Sequence, residues 1–196
     1  MTVTTHKPQD LICLFNSLFT ESENTELVKG EDEPIYLPAN AKQPLHQVVF
    51  AHGFYASAFH EIAHWCIAGR ERRLLEDYGY WYAPDGRNEI QQQKFELVEI
   101  KPQAIEWAFC VASGFKFNVS ADNLSGIDVD RYGFQCKVHK QVLAYLQNGF
   151  PSRAQLFIDA LLAYYQPGLT LTADMFAFSN PLFETKSAKE LECIAL

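Results

Sequence analysis

The pentapeptide His60-Glu61-Ile62-Ala63-His64 constrains the fold of this chain more than any other stretch of it. Residues four apart in a helix lie on the same face, one turn above the other, so two imidazoles with this spacing can bind one metal ion. Residues 48–51 are typical of a buried strand, His52-Gly53 of a turn, and the run from about 55 to about 75 of a helix. The sequence therefore predicts a metal site at a strand-to-helix corner, where rigid elements on both sides hold the ligands.

Two histidines are too few for a usable metal site, which needs a third protein ligand and open positions for water, dioxygen or substrate. The acidic segment downstream offers Glu96, Glu99 and Glu106, and Glu99 comes just before the helix-breaking Pro102. His52 is the other candidate, because it ends the strand before the motif, although a supporting hydrogen bond is its more ordinary role. The residues alone leave the third ligand open.

Two chemistries share this arrangement. In a zinc peptidase, two histidines and a distal glutamate hold Zn(2+), while Glu61 is the general base toward the metal-bound water. In a non-heme iron oxygenase, two histidines and one carboxylate occupy one face of the iron and leave the opposite face for dioxygen and substrate. On motif grounds Glu61 favours hydrolysis. A noncatalytic binding module stabilised by a metal is a third class, which open coordination positions would distinguish from an enzyme.

Length and composition limit the class of protein. With 196 residues, of which 48% are hydrophobic, the chain is long enough for one sizeable core and short for two. We expect one domain over residues 1–183 and a mobile tail over 184–196. There is no apolar run behind a basic N-terminus and no stretch of about 18 apolar residues, so neither a signal peptide nor a membrane span is predicted. We expect a cytoplasmic protein.

The cysteines and the net charge narrow the class further. The five cysteines are scattered and form no C-x-x-C pair, which argues against a disulfide framework or a zinc ribbon and fits a reducing cytosol. They are Cys13, Cys66, Cys110, Cys136 and Cys193. The formal charge of −8 disfavours nonspecific binding of nucleic acid, which requires clustered Lys and Arg. A cationic partner fits this charge better.

The remaining pattern predicts strands packed against helices. Extended segments are predicted at residues 34–38 and 47–51, and an aromatic strand at 78–82 leads into a turn at 84–87 where Asp85 and Arg87 pair. Helices are predicted from 11 to 19, from 89 to 113, from 131 to 147 and from 152 to 165. Pro102 within the second of these means either that the helix kinks or that another one begins. Ser152 is a plausible N-cap of the last helix.

A long run of the sequence, from His52 to Gly69, resembles the signature of the bacterial elongation factor P hydroxylase family. Four further blocks are similar to the same family, at residues 30–38, 78–87, 99–104 and 117–120. The resemblance extends from about residue 11 to about residue 165.

This resemblance implies a monooxygenase that uses dioxygen to hydroxylate a lysine of elongation factor P already extended with a β-lysyl group. It implies Fe(2+) held by His60, His64 and Glu99, with Zn(2+) as the alternative from the motif. Glu61 then becomes a catalytic group that handles a proton or orients the substrate. The implied fold is α+β, a small mixed β-sheet flanked by helices, similar to a metal-dependent bacterial RNA-maturation protein. The chain contains no H-x-D or H-x-E string of the oxygenase-barrel type, so 2-oxoglutarate is not inferred.

The implied substrate suits the charge of the chain. A β-lysyl-lysine side chain carries clustered ammonium groups, which an acidic protein attracts. Glu106, Asp77 and Asp85 are candidates for binding these groups, although each is more typical of a solvated surface carboxylate.

Overall fold

A computed structural model describes residues 5–77, 85–121, 123–127 and 129–179, and within these ranges five α-helices pack around a three-stranded mixed sheet. The predicted α+β class is confirmed. The helices are α1 (Pro8–Glu23), α2 (Tyr55–Ile67), α3 (Glu89–Ser113), α4 (Arg131–Asn148) and α5 (Ser152–Tyr165), and the strands are β1 (Thr25–Lys29), β2 (Ile35–Leu37) and β3 (His46–Phe50). None of these helices is long and apolar enough to span a membrane.

The central strand of the sheet is β3, which runs parallel to β1 and antiparallel to β2. It lies one residue earlier than the predicted 47–51, and β2 lies inside the predicted extended segment 34–38. The sequence analysis did not identify β1, which buries Thr25 and Leu27 on one face by strand alternation. Beyond β2, the backbone of Asp77 pairs with that of Tyr36 and widens this edge of the sheet.

The turn predicted at His52-Gly53 belongs to a short 3-10 segment, Ala51–Gly53, that connects β3 to α2. Both turn residues have positive φ, 50° for His52 and 71° for Gly53. The position favours glycine for its backbone angle, and a Cβ there would displace the end of the flexible Lys29 side chain, whose Cε would lie 2.6 Å away. The Ser57 hydroxyl accepts a hydrogen bond from the Ala51 backbone N–H and ties the turn to the first residues of α2.

The motif helix α2 ends at Ile67, about two turns before the predicted end near residue 75. After it the chain is extended at Ala68 and then forms a 3-10 turn, Arg72–Leu74. The reason lies elsewhere in the chain, because Arg153 at the start of α5 donates hydrogen bonds to the carbonyl oxygens of Trp65, Cys66 and Ala68. These bonds satisfy the carbonyls that a longer helix would have paired internally.

The helix α3 continues through Pro102 as one element of 25 residues, so no second helix begins there. Proline removes only one backbone hydrogen bond, and the helix is held on both sides of it by tertiary packing. Its N-terminus has a capping box in which Asn88 and Gln91 exchange side-chain and backbone hydrogen bonds. Every residue from Pro102 to Ser113 is buried, so this half of α3 is the central helix of the core.

Aromatic rings fill the space between α1, α2, α3 and α5. Phe15 and Phe19 of α1 pack against Trp65 of α2 with ring centroids 4.9 and 4.8 Å away. Phe109 of α3 packs edge-on against Phe157 of α5 at 5.0 Å. Edge-to-face pairs at these distances add to the free energy of area burial. This core holds α2 against α3 and so sets the position of the motif histidines.

Two further predictions are wrong, and two concern residues outside the described part of the chain. Ser152 is the first residue of α5 rather than its N-cap, which is Pro151. Arg87 was expected to pair with Asp85 on the surface; instead it is buried with its Nε donating to Gln92, while Asp85 accepts from the Ser125 backbone. The predicted aromatic strand at 78–82 and the tail at 184–196 lie outside the described residues.

Candidate metal centre

The two motif histidines lie on α2, and their imidazoles point toward the same spot beside α3. Nε2 of His60 and Nε2 of His64 are 3.1 Å apart. At this distance either one ring nitrogen donates a hydrogen bond to the other, or both direct their lone pairs at a cation bound between them. The helical spacing brings the two rings near each other, and contacts with side chains of α3 orient them toward one point.

The third member of the cluster is Glu99 of α3, whose side chain is 2% exposed. One carboxylate oxygen lies 3.2 Å from Nε2 of His64 and the other lies 3.6 Å from Nε2 of His60. Gln103 holds this carboxylate, because its amide donates both to Glu99 and to the backbone oxygen of Ser120. The Ser120 N–H donates in return to the side-chain oxygen of Gln103, so its amide orientation is set on both sides.

The geometry of the three side chains fits a single metal ion. One ligand atom from each of His60, His64 and Glu99 can be chosen so that all three lie within 4.8 Å of one another. Ligand atoms that each lie about 2.1 Å from one ion are about 3.0 Å apart in octahedral and about 3.4 Å apart in tetrahedral coordination. The 3.1 Å between the two imidazole nitrogens and the 3.2 Å from Nε2 of His64 to one Glu99 oxygen are close to these values, while the other Glu99 oxygen lies 3.6 Å from Nε2 of His60. The cluster therefore suits a divalent ion held by one face, without choosing between iron and zinc.

A second glutamate of α3, Glu106, orients the first histidine. Its carboxylate lies 2.9 Å from Nδ1 of His60, so that nitrogen carries the proton and donates it. The imidazole then turns Nε2 toward His64 and Glu99, which is how carboxylates beside metal-binding histidines set their tautomer. Burial disfavours a charged His60, but the hydrogen bond and negative charge of Glu106, with Glu99 and Glu61, raise the pKa of His60 to about 10.

The carboxylates of the cluster differ in their electrostatics. Burial alone would raise the pKa of Glu99, yet the hydrogen bond from His64 and the charges of both imidazoles hold it well below its usual range. Burial dominates at Glu61 and raises its pKa, although the two histidines act in the opposite direction. The site thus gathers three carboxylates around two imidazoles, a surplus of negative charge that a divalent cation would offset.

Of the candidate ligands from the sequence, the structure brings His60, His64 and Glu99 together and leaves two others apart. Glu96 lies one turn back on α3 and accepts from Nζ of Lys137 at 2.7 Å. His52 is exposed in the turn, with its ring against Phe54. The geometry thus separates Glu99 from the alternatives that the residues had left open.

The candidates for binding ammonium groups were described as more typical of surface carboxylates, and for Glu106 this is wrong. Glu106 is 7% exposed and bound to His60. Asp77 pairs with Arg72 beside the edge of the sheet, with a quarter of its side chain exposed. Asp85 is exposed, as expected, and hydrogen bonds from the side chain and the backbone N–H of Ser125 lower its pKa.

Sequence reasoning missed the supporting roles of Gln103 and Glu106. A usable signal was present, because Glu99, Gln103 and Glu106 follow one another at helical spacings of four and three and so share one face. A polar stripe on an otherwise buried helix points to a common partner. The proline between them obscured the stripe, because it suggested that the helix was broken.

Comparisons with known proteins identify the family of this chain. The family model described as elongation factor P hydroxylase matches residues 14–176. The chain is similar to the elongation factor P lysine hydroxylase of Haemophilus influenzae, with 55% identity over 160 residues, which cover 82% of this chain and 90% of that protein. The match includes all three members of the cluster and the supporting Gln103 and Glu106 within its bounds. This chain belongs to the elongation factor P hydroxylase family.

Proposed function

We propose that this protein hydroxylates a lysine of elongation factor P that already carries a β-lysyl group, using a bound metal ion and dioxygen. The observation that carries the proposal is the convergence of His60, His64 and Glu99 in a chain that is 55% identical to an elongation factor P lysine hydroxylase. A translation factor is modified where translation takes place, so we expect the reaction in the cytoplasm.

Iron(II) is the proposed metal. Two histidines and one carboxylate on one face are the ligand set of non-heme iron oxygenases, and iron bound there would supply the activation of dioxygen. The protein's own groups prepare the ligands: Glu106 keeps the proton of His60 on Nδ1, and Gln103 holds the Glu99 carboxylate. Both supporting groups are buried, so water does not compete for them.

The charge of the chain suits the proposed substrate. A lysine extended with a β-lysyl group carries two ammonium groups, and the protein has a formal charge of −8. A negative protein raises the encounter rate with a cationic group and lowers it with an anionic one. This steering favours approach, while selection of the arm must come from groups in contact with it.

The zinc-peptidase alternative rests on the H-E-x-x-H string alone. A peptidase would need Glu61 as a base toward metal-bound water. The family match supports hydroxylation, because the description of that family and the name of the Haemophilus influenzae relative both specify a hydroxylase.

Intact-mass analysis of elongation factor P tests the proposal. The β-lysylated factor is incubated with protein loaded anaerobically with iron(II), then with air and a reductant, beside a zinc-loaded sample. We expect a gain of one oxygen, about 16 mass units, with iron only, since dioxygen activation needs a redox metal. No gain with verified iron occupancy and an intact fold would contradict the proposal.

A further inference from the structure

A cavity of about 320 Å³ lies beside the metal-binding cluster, between α2, α3 and the sheet. His64 and Glu61 of α2 contribute to its lining, so the cavity reaches the cluster itself. Liquid water takes about 30 Å³ per molecule, so this volume corresponds to roughly ten waters, at the small end of ligand pockets. This volume is sufficient for one long side chain and too small for a folded peptide.

The walls of this cavity suit methylene groups. Val48 of the sheet is 3% exposed, and Ile35, Ile67 and Leu97 add apolar surface around it. The cavity also crosses the sheet edge, since Tyr36 pairs with Val48 on one side and with Asp77 on the other. Two strand spacings are about 10 Å, which is comparable with the length of an extended aliphatic side chain.

Most charged groups around the cavity already have partners. Arg72 pairs with Asp77, and Arg73 pairs with Glu23 at 2.7 Å. Lys101 is exposed at the rim, where water screens its charge. These groups therefore place little uncompensated charge inside the cavity.

Glu61 is the exception. Its carboxylate lines the cavity, and no hydrogen bond or ion pair within the described part of the chain satisfies it. His60 pairs with Glu106 at 2.9 Å and His64 lies 3.2 Å from Glu99, whereas the two imidazoles act on the partly buried Glu61 only through their charge. A partly buried carboxylate without a partner is costly, and an ammonium group supplied by a ligand would satisfy it.

We propose that the cavity binds the β-lysyl-lysine arm and that Glu61 anchors one of its ammonium groups beside the metal. This inference rests on the proposed function for the identity of the arm. Glu61 and His64 are three apart on α2, so their Cβ atoms are about 5 to 6 Å apart, and a chain anchored at Glu61 passes close to His64. Glu61 is then a residue that positions the substrate, which separates it from the base role that the motif suggests.

A small diamine tests the anchor independently of catalysis. Binding of pentane-1,5-diamine to the full-length protein is followed by NMR, with pentane-1,5-diol as the uncharged control. We expect the wild-type protein to bind the diamine and not the diol, and Glu61→Gln to weaken diamine binding about tenfold or more, as loss of a charge partner requires. The control is Glu96→Gln on α3, which removes the negative charge that pairs with Lys137 of α4. It should leave diamine binding unchanged.

Kinetics on β-lysylated elongation factor P then connect the anchor to the reaction. Glu61→Gln should raise KM about tenfold while kcat changes by less than roughly threefold, with Glu61→Asp intermediate, because an anchoring group contributes to substrate binding. A collapse of kcat with unchanged KM would assign Glu61 to proton handling and overturn the inference. Loss of the metal in Glu61→Gln would likewise overturn it.

Filling the cavity gives a second variant that does not touch Glu61. Ile35→Phe on β2 should raise KM by a similar factor and leave the metal content unchanged, and an unchanged KM would contradict the inference. Should the wild-type protein fail to hydroxylate the factor, the proposed function falls. The diamine experiment still reports on the cavity in that case, so the two failures are distinguishable.

Discussion

The two faces of α2 carry side chains of opposite kinds. One face has His60, Glu61 and His64, which meet the polar stripe of α3 and the cavity. The other face has Ile62, completely buried in the core, together with Phe59 and Cys66. The thirteen-residue helix α2 thus contributes to the metal-binding cluster on one side and to the apolar core on the other.

The helix therefore combines a reactive face with a stabilising one. The polar face depends on a few directed contacts, such as the 2.9 Å bond from His60 to Glu106. The apolar face depends on many undirected contacts, which tolerate no cavity but need no specific atom pair. Changes on one face should therefore leave the property of the other nearly intact, and the predictions below are tests of that separation.

The largest effect is expected from the histidines. His60→Ala or His64→Ala should abolish metal binding and hydroxylation while leaving the far-UV circular dichroism unchanged, since one metal ligand is lost and the core is not touched. Metal analysis of the purified variants, paired with the mass assay, measures this. Full activity in either variant would show that the polar face of α2 does not bind a required metal ion.

The two glutamates of α3 sharpen the position of the third ligand. Glu99→Ala should lose metal binding and activity to an extent similar to the histidine variants, because its carboxylate lies within 3.6 Å of both imidazoles. Glu96→Ala, one turn earlier, removes only the pair with Lys137 and should keep both properties. Isothermal titration calorimetry measures metal binding by both variants, and the mass assay measures their activity. The reverse result would identify Glu96 as the third ligand.

On the apolar face, Ile62→Ala should lower the free energy of unfolding by about 2 to 5 kcal/mol, the range for deleting a large aliphatic side chain from a core. Urea denaturation measures the change. Ala56→Ser on the exposed surface of the same helix is the control, and its effect should stay within about 0.5 kcal/mol. Metal affinity of the folded Ile62→Ala protein should remain near that of the wild type, and a large loss would show that the faces are coupled.

A smaller effect on the polar face is expected from Glu106→Gln. The amide no longer provides a charged acceptor for Nδ1–H of His60, so metal affinity should fall about tenfold to a hundredfold, as for other supporting carboxylates. Competition with a metal-binding dye measures the affinity. Glu89→Gln at the exposed N-terminus of α3 is the control and should be neutral. An unchanged metal affinity in Glu106→Gln would show that Glu106 does not support the metal-binding histidine.

Local patterns in the sequence predicted the motif helix and the turn before it, because helical spacing and turn residues are encoded by neighbours in the chain. The α+β class was implied by the resemblance to the hydroxylase family. The predicted end of α2 was wrong because Arg153 binds the carbonyl oxygens at the end of this helix, and Arg153 lies 85 to 88 residues away from them in the sequence. The roles of Glu106 and Arg87 were wrong because burial of a charged residue depends on a tertiary partner. The strand β1 was missed because its mixed polar sequence becomes a strand only beside β3.

The most direct test of the central claim is anomalous diffraction at the iron edge from crystals of this protein loaded anaerobically with iron(II). We expect one strong peak about 2.0 to 2.3 Å from Nε2 of His60, from Nε2 of His64 and from a Glu99 oxygen. The side of the ion that faces the cavity should be open to solvent. A peak bound by other residues, or no peak at this cluster in crystals with verified iron content, would contradict this claim.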